Sequence, residues 1–221
     1  FIVSAKDLLI DIKSSINIDI MNFLSIDCST DISSLFLKFE NKTFFKNLQR
    51  SNYSNDLLMK QILEFLKENN LGLKNISDIF VNQGPGSFSG LRGSISTAKG
   101  ISIAKNINLF GYSTFLLSWV NFYNYPKPIC CIIKFKEKYF LQKFENNKNF
   151  KTEPQIATCD EIIKNFNKSL ILIVENNKKD FDKRLLKLEN VHVAKLDPNR
   201  LEFLKKKNLL EKKLIRPVYL S

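Results

Sequence analysis

The first strand-like pattern of apolar residues runs over positions 22–27, and two more follow at 34–39 and 42–48, with Asn41 and Lys42 at the turn between them. The period then changes. Leu58, Ile62, Phe65 and Leu66 share one helical stripe while Lys60, Glu64 and Lys67 fall off it, which predicts a helix over 56–68 stopped by Asn69, Asn70 and Gly72. A short strand at 78–81, a glycine-rich turn at 83–90, a helix at 91–105, a strand at 108–112 and a helix at 113–123 complete the order β-β-β-α-β-α-β-α. Pro126 and Pro128 break the chain and set a boundary between a first lobe, 21–125, and a second, 126–221.

The second half reads as a shorter echo of the first. A hairpin is expected from 129–135 and 139–144, and Thr158 with Glu161 forms a capping box before a helix at 160–166. A buried strand at 170–174, another at 191–194, a helix at 198–207 and an extended tail at 214–220 follow. Residues 1–20 precede Met21 and read as an extension outside the domain.

Composition narrows the class. With 44% hydrophobic and 25% charged residues the chain is expected to fold, which excludes a disordered segment. The apolar runs 128–133 and 169–174 fall far short of the ~20 residues of a membrane helix. Asp7, Asp11 and Asp19 interrupt any signal-peptide centre, so a cytoplasmic location is expected. Cys28, Cys130, Cys131 and Cys159 form no CxxC pair, as suits a reducing compartment. The net charge of +12 has two readings: an acidic partner such as RNA, or AT-rich codon bias, since only five of the 34 basic residues are arginine.

The most informative stretch joins a strand to a helix: Asn82-Gln83-Gly84-Pro85-Gly86-Ser87-Phe88-Ser89-Gly90-Leu91-Arg92. Its glycines permit unusual backbone conformations, and the helix start offers free N–H groups to an anion. It equally fits a tight turn with an N-cap at Ser89. No Lys-Ser/Thr follows the last glycine, so it is not a Walker A loop. In the helix that follows, Gly93, Thr97, Gly100 and Ala104 make a face of small side chains. Interior glycine costs about 1 kcal/mol against alanine, so close packing by another helix is expected there, from within the chain or from another one.

A second stretch, Asp27-Cys28-Ser29-Thr30, follows the first strand and could organise a turn or hold a metal–phosphate group. The single histidine, His192, supports neither a histidine zinc cluster nor a Ser-His-Asp triad.

These motifs carry a resemblance. Leu24-Ser25-Ile26-Asp27-Cys28-Ser29-Thr30, the stretch Gly84-Pro85-Gly86-Ser87-Phe88-Ser89-Gly90-Leu91-Arg92, Thr97-Ala98-Lys99-Gly100, and the closing Arg216-Pro217-Val218-Tyr219-Leu220 resemble the TsaB (YeaZ) family. The resemblance implies an α/β, actin/Hsp70-like fold of two related βββαβα lobes. It implies a non-catalytic subunit for N6-threonylcarbamoyladenosine modification of tRNAs reading codons that begin with A. Such a subunit would bind and activate the catalytic TsaD protein, with TsaE joining the pair and tRNA met through the complex.

On this reading Asp27, Ser29 and Thr30 are a vestigial phosphate loop, and Leu58, Ile62, Phe65, Gly93, Thr97, Gly100 and Ala104 form the partner interface. No metal and no intrinsic cofactor is expected, with ATP or ADP bound only within the complex, and the helical face would serve a homodimer when TsaD is absent. The chain departs from the family at Tyr53-Ser54-Asn55, Ile132-Ile133-Lys134, Glu175-Asn176-Asn177 and Ser221; the third departure removes a glycine-rich turn that adenosine would need. The alternative is an active actin-like phosphotransferase or ATPase working through Asp27, Ser29 and Thr30.

Overall fold

The computed structural model describes residues 21–30, 33–48, 55–135, 137–145, 151–166, 169–174 and 181–219. The expectations for residues 1–20, for Tyr53-Ser54, for Glu175-Asn176-Asn177 and for Leu220-Ser221 lie outside these residues.

Strand β1 (Phe23–Asp27) pairs antiparallel with β2 (Ser33–Phe39), and β2 with β3 (Lys42–Leu48). On its other side β1 runs parallel to β4 (Asp78–Asn82), which runs parallel to β5 (Asn108–Tyr112). The first sheet is therefore ordered β3-β2-β1-β4-β5. The second sheet, from β6 (Ile129–Phe135), β7 (Lys138–Phe144), β8 (Gln155–Ala157), β9 (Leu170–Val174) and β10 (Val191–Ala194), is ordered β8-β7-β6-β9-β10. Strand for strand, the two orders are the same. The repeat is completed by two elements that the sequence pattern missed, β8 and the one-turn helix α5 (Lys183–Leu186).

Side-chain alternation builds the layers. Leu24, Ile26, Ile79 and Val81 face one side of the first sheet, where they pack with Ile62, Phe65 and Leu66 of α1 (Asn55–Glu68) and Ile95 and Ala98 of α2 (Phe88–Lys105). Phe23, Phe80, Phe110 and Tyr112 face the other side. There they meet α3 (Thr114–Trp119), buried along its whole length, and Cys131, Ile133, Leu172 and Val174 of the second sheet. The far side of the second sheet presents Cys130, Ile132, Ile171 and Ile173 to Ile162 of α4 (Cys159–Asn165) and Leu185 of α5. Both lobes thus share one middle layer around α3. The Thr158–Glu161 capping box forms as expected at the start of α4.

Most boundaries shift by one or two residues, and three features depart further from the sequence reading. Helix α2 begins at Phe88, capped by the Ser87 hydroxyl, which accepts from Gly90 N; Ser89 is not the cap. The helix expected over 113–123 ends at Trp119 and tightens into a 3-10 turn at Val120–Phe122. The last helix, α6 (Arg200–Lys206), and the tail were expected with the second lobe, but both make bonds to the first. Glu202 pairs with Lys38, Lys205 with Asp78, and Glu211 bridges Gly111 on the edge strand β5.

Candidate functional site

Asp27 ends β1, Asn82 ends β4, and Thr114 begins α3 just after β5, so three side chains converge at the carboxyl ends of adjacent parallel strands. In open α/β sheets that edge is where ligands sit. Here the polar groups satisfy one another. Asp27 Oδ1 accepts from Ser29 N (2.9 Å) and Ser29 Oγ (2.7 Å), and its Oδ2 accepts from Asn82 Nδ2 (2.9 Å). Asn82 Nδ2 also lies 2.9 Å from Thr114 Oγ1, and Asn82 Oδ1 accepts from Gly84 N at 2.8 Å. Ser29, Asn82 and Thr114 are buried, and Thr30 is half-buried beside them in the chain.

The glycine loop closes over this cluster. Ser87 N donates to Ser29 O (2.7 Å), and Thr114 N to Gly84 O (3.0 Å). A Cβ on Gly86 would sit 1.9 Å from Ser29 O, and one on Gly90 would sit 2.2 Å from Cys28 O. Gly84 has φ +100°, a conformation L residues rarely adopt. The glycines therefore let the β4–α2 loop lie directly against the β1–β2 loop. Of the two sequence readings of this stretch, the tight turn accounts for its hydrogen bonds. Within the loop the N–H groups of Gly84, Ser87, Gly90 and Leu91 are paired with acceptors of the chain.

Sequence reasoning placed Asp27 and Ser29 correctly together but missed Asn82 and Thr114. Asn82 was legible as the first residue of the motif; Thr114 carries no local signal. It also missed that the two ends of the family pattern meet. Gln83 O accepts from Val218 N (2.7 Å), and Gln83 Nε2 donates to Arg216 O (2.8 Å). Tyr219 packs on Phe88 with ring centroids 5.0 Å apart, and Arg92 lies 3.9 Å above the Phe88 ring while its Nε donates to Tyr219 Oη at 2.8 Å. Pro85 follows Gly84 in a cis peptide, and Leu91 is fully buried beneath the loop.

The expected partner face divides. Leu58, Ile62 and Phe65 are not available to a partner: they are 8%, 0% and 3% exposed, inside the lobe's own core. An apolar helix stripe buries itself against whatever sheet lies nearest, and here that sheet belongs to the same lobe. Gly93 and Thr97 are half-buried, whereas Gly100 and Ala104 are exposed, and a Cβ on Gly100 would touch nothing within 4 Å. Next to them Ile103 is 84% exposed, and Leu63 on α1 is 45% exposed. Ile103 was findable from sequence: Leu91, Ile95, Ala98 and Ile101 define the inward stripe of α2, and Ile103 falls off it.

The thiols behave as small hydrophobes. Burial pushes Cys28 and Cys130 up to about 12, and holds Cys131 well above the usual thiol range. Among the described residues no group of three or more His, Cys, Asp or Glu could hold a metal ion, and no helix is long and apolar enough to cross a membrane.

A family model described as TsaD, tRNA N6-adenosine threonylcarbamoyltransferase, matches residues 49–181, more than half of the chain. A tRNA threonylcarbamoyladenosine biosynthesis protein TsaB from Buchnera aphidicola subsp. Baizongia pistaciae is 35% identical over 97 residues, which cover 42% of this chain and only 43% of that relative. The protein of the same name from Buchnera aphidicola subsp. Schizaphis graminum is 25% identical over 187 residues, 80% of this chain and 88% of that one. The chain belongs to the TsaB (YeaZ) family. Among solved structures, YeaZ from Pseudomonas aeruginosa superposes with a TM-score of 0.66 over 90% of this chain and 100% of that chain, at 13% identity. An uncharacterized protein with similarity to peptidase YeaZ, also from Pseudomonas aeruginosa, gives 0.66 over 91% and 100% at 14% identity. These neighbours share the α/β fold of this chain, whose two sheets repeat one strand order.

Proposed function

We propose that this chain is a non-catalytic subunit in the biosynthesis of N6-threonylcarbamoyladenosine in tRNA, and that it works by docking on TsaD and activating it. The names of its relatives support the pathway. The observation that carries the non-catalytic part is the closed cluster at Asp27: both carboxylate oxygens are held by Ser29 and Asn82, and in the overlying loop the N–H groups of Gly84, Ser87, Gly90 and Leu91 are paired within the chain. The docking part is supported by α2, whose exposed Gly100 and Ala104 leave room for a second helix to approach beside the uncovered Ile103.

Activation follows from differential affinity. A subunit that binds the competent conformation of TsaD better than the others shifts the population toward it, by no more than that difference in binding free energy. On this reading TsaE joins the pair, tRNA is met through the assembly, ATP or ADP binds only within it, and two copies of this chain pair through α2 when TsaD is absent.

The test is co-purification of the chain with TsaD, followed by tRNA modification assayed with and without it. Expected is a stable complex and modification that depends on the chain. Full activity of TsaD alone overturns the proposal.

A further inference from the structure

We infer that the groove between the second half of α2 and the C-terminal tail is a docking seat for an acidic, aliphatic-bearing segment of a protein partner, which on the reading above is TsaD. The groove has a volume of about 420 Å³ and is lined by Lys99 from α2 with Lys213 and Arg216 from the tail; Lys212 also lines it but places its Nζ 5.4 Å over the Phe110 ring. Asp and Glu are missing from its lining. Among the described residues none of Lys99, Lys213 and Arg216 has an ion-pair partner. The neighbouring carboxylate, Glu211, is turned to the backbone: its Oε1 accepts from Lys213 N (2.7 Å) and Leu214 N (3.0 Å), which holds it below the usual carboxylate range.

Between the cations stand two uncovered aliphatic side chains, Ile103 at 84% and Leu214 at 56% exposure. This mixture selects the occupant. Three like charges around one groove repel each other until an anionic partner arrives, and they speed its encounter. A phosphate backbone would satisfy the charges but leave Ile103 and Leu214 uncovered, because aliphatic side chains give nucleobases no stacking surface. A peptide segment with carboxylates flanking Leu, Ile or Val satisfies both at once, and the aliphatics then lie at the desolvated centre of a contact with the charges at its rim.

The experiment uses the full chain and the TsaD protein of the same organism. Lys99→Glu/Lys213→Glu is compared with the wild type and with Lys138→Glu/Lys164→Glu, an equal charge change on exposed residues of the second lobe. Affinity for TsaD and for unmodified tRNA is measured between about 0.05 and 0.5 M salt. Expected is a loss of at least about tenfold in TsaD affinity for the groove variant alone, steep salt dependence in the wild type, and unchanged tRNA retention. Unchanged TsaD affinity overturns the inference, whether tRNA retention falls, which would make the groove an RNA contact, or stays. If Gly100→Leu releases TsaD while the groove variant holds it, docking on α2 stands and the acidic seat fails. Failure of the wild type to bind TsaD overturns both.

Discussion

Lys205 Nζ lies 2.7 Å from Asp78 Oδ1, and the aspartate is only 2% exposed. The pair fastens the last helix to the start of β4, between the central strand and the edge strand of the first sheet. Asp78 also accepts from Ser77 Oγ and Asn108 Nδ2, so its charge is well solvated by the protein as long as the lysine is present. Removing one partner of such a pair leaves a charge without its counterion. Lys205→Ala is therefore expected to lower stability by about 2–3 kcal/mol, read as a lower urea midpoint. A midpoint unchanged from wild type would show that the first sheet holds without this tie.

Two glycines in one motif region should respond to the same substitution with opposite signs. Gly86→Ala forces a methyl group onto the Ser29 carbonyl, so the loops must separate, and a loss of about 3 kcal/mol or more is expected. Gly100→Ala meets open space on a helix and should gain about 1 kcal/mol from helix propensity. Thermal melts of both variants check the pair. Gly100→Leu should likewise leave the monomer folded while abolishing its complex with TsaD.

Because Asp27, Ser29 and Asn82 already satisfy each other, the isolated chain should give no saturable heat when titrated with ATP and Mg²⁺. Saturable binding accompanied by turnover would restore the phosphotransferase alternative.

Alkali should destabilise the chain from a defined onset. Folding holds the Cys28 and Cys130 thiols protonated up to about 12, against a usual value of 9.0. Between these values the unfolded chain gives up protons that the folded chain retains, so ionisation favours unfolding. Stability is expected to be insensitive to these thiols below pH 9, then to fall by about 1.4 kcal/mol per pH unit for each buried thiol until the folded group also ionises. Denaturant midpoints across pH 7–11 measure it. At pH 8 a thiol reagent should label the half-exposed Cys159 first and the other three only on unfolding.

Much of the fold was legible because period and punctuation coincide in this chain. The strands β3, β5, β6, β9 and β10 match the sequence reading residue for residue, and the α4 capping box forms as read. What escaped had no local signal. Gln155–Ala157 is three residues long with two of them exposed, and Lys183–Leu186 is a single turn, so neither accumulates a period. The stripe Leu58, Ile62, Phe65 was read correctly as apolar and assigned to the wrong neighbour, since a helix pattern states that a face is buried and not by what. The contact of Arg92 with Tyr219 spans 127 positions, beyond the reach of any window. Only the joint presence of both segments in the family pattern hinted that they belong together.

The tail's grip on Gln83, Arg92 and Gly111 makes the first lobe discontinuous in the gene. A fragment ending near residue 125 would lack both the cover on the edge of β5 and the buttress of the glycine loop. During synthesis the loop must wait, half-built, until residues 211–219 have been made. A premature stop that spares every other element would still leave the molecule's signature turn unsupported.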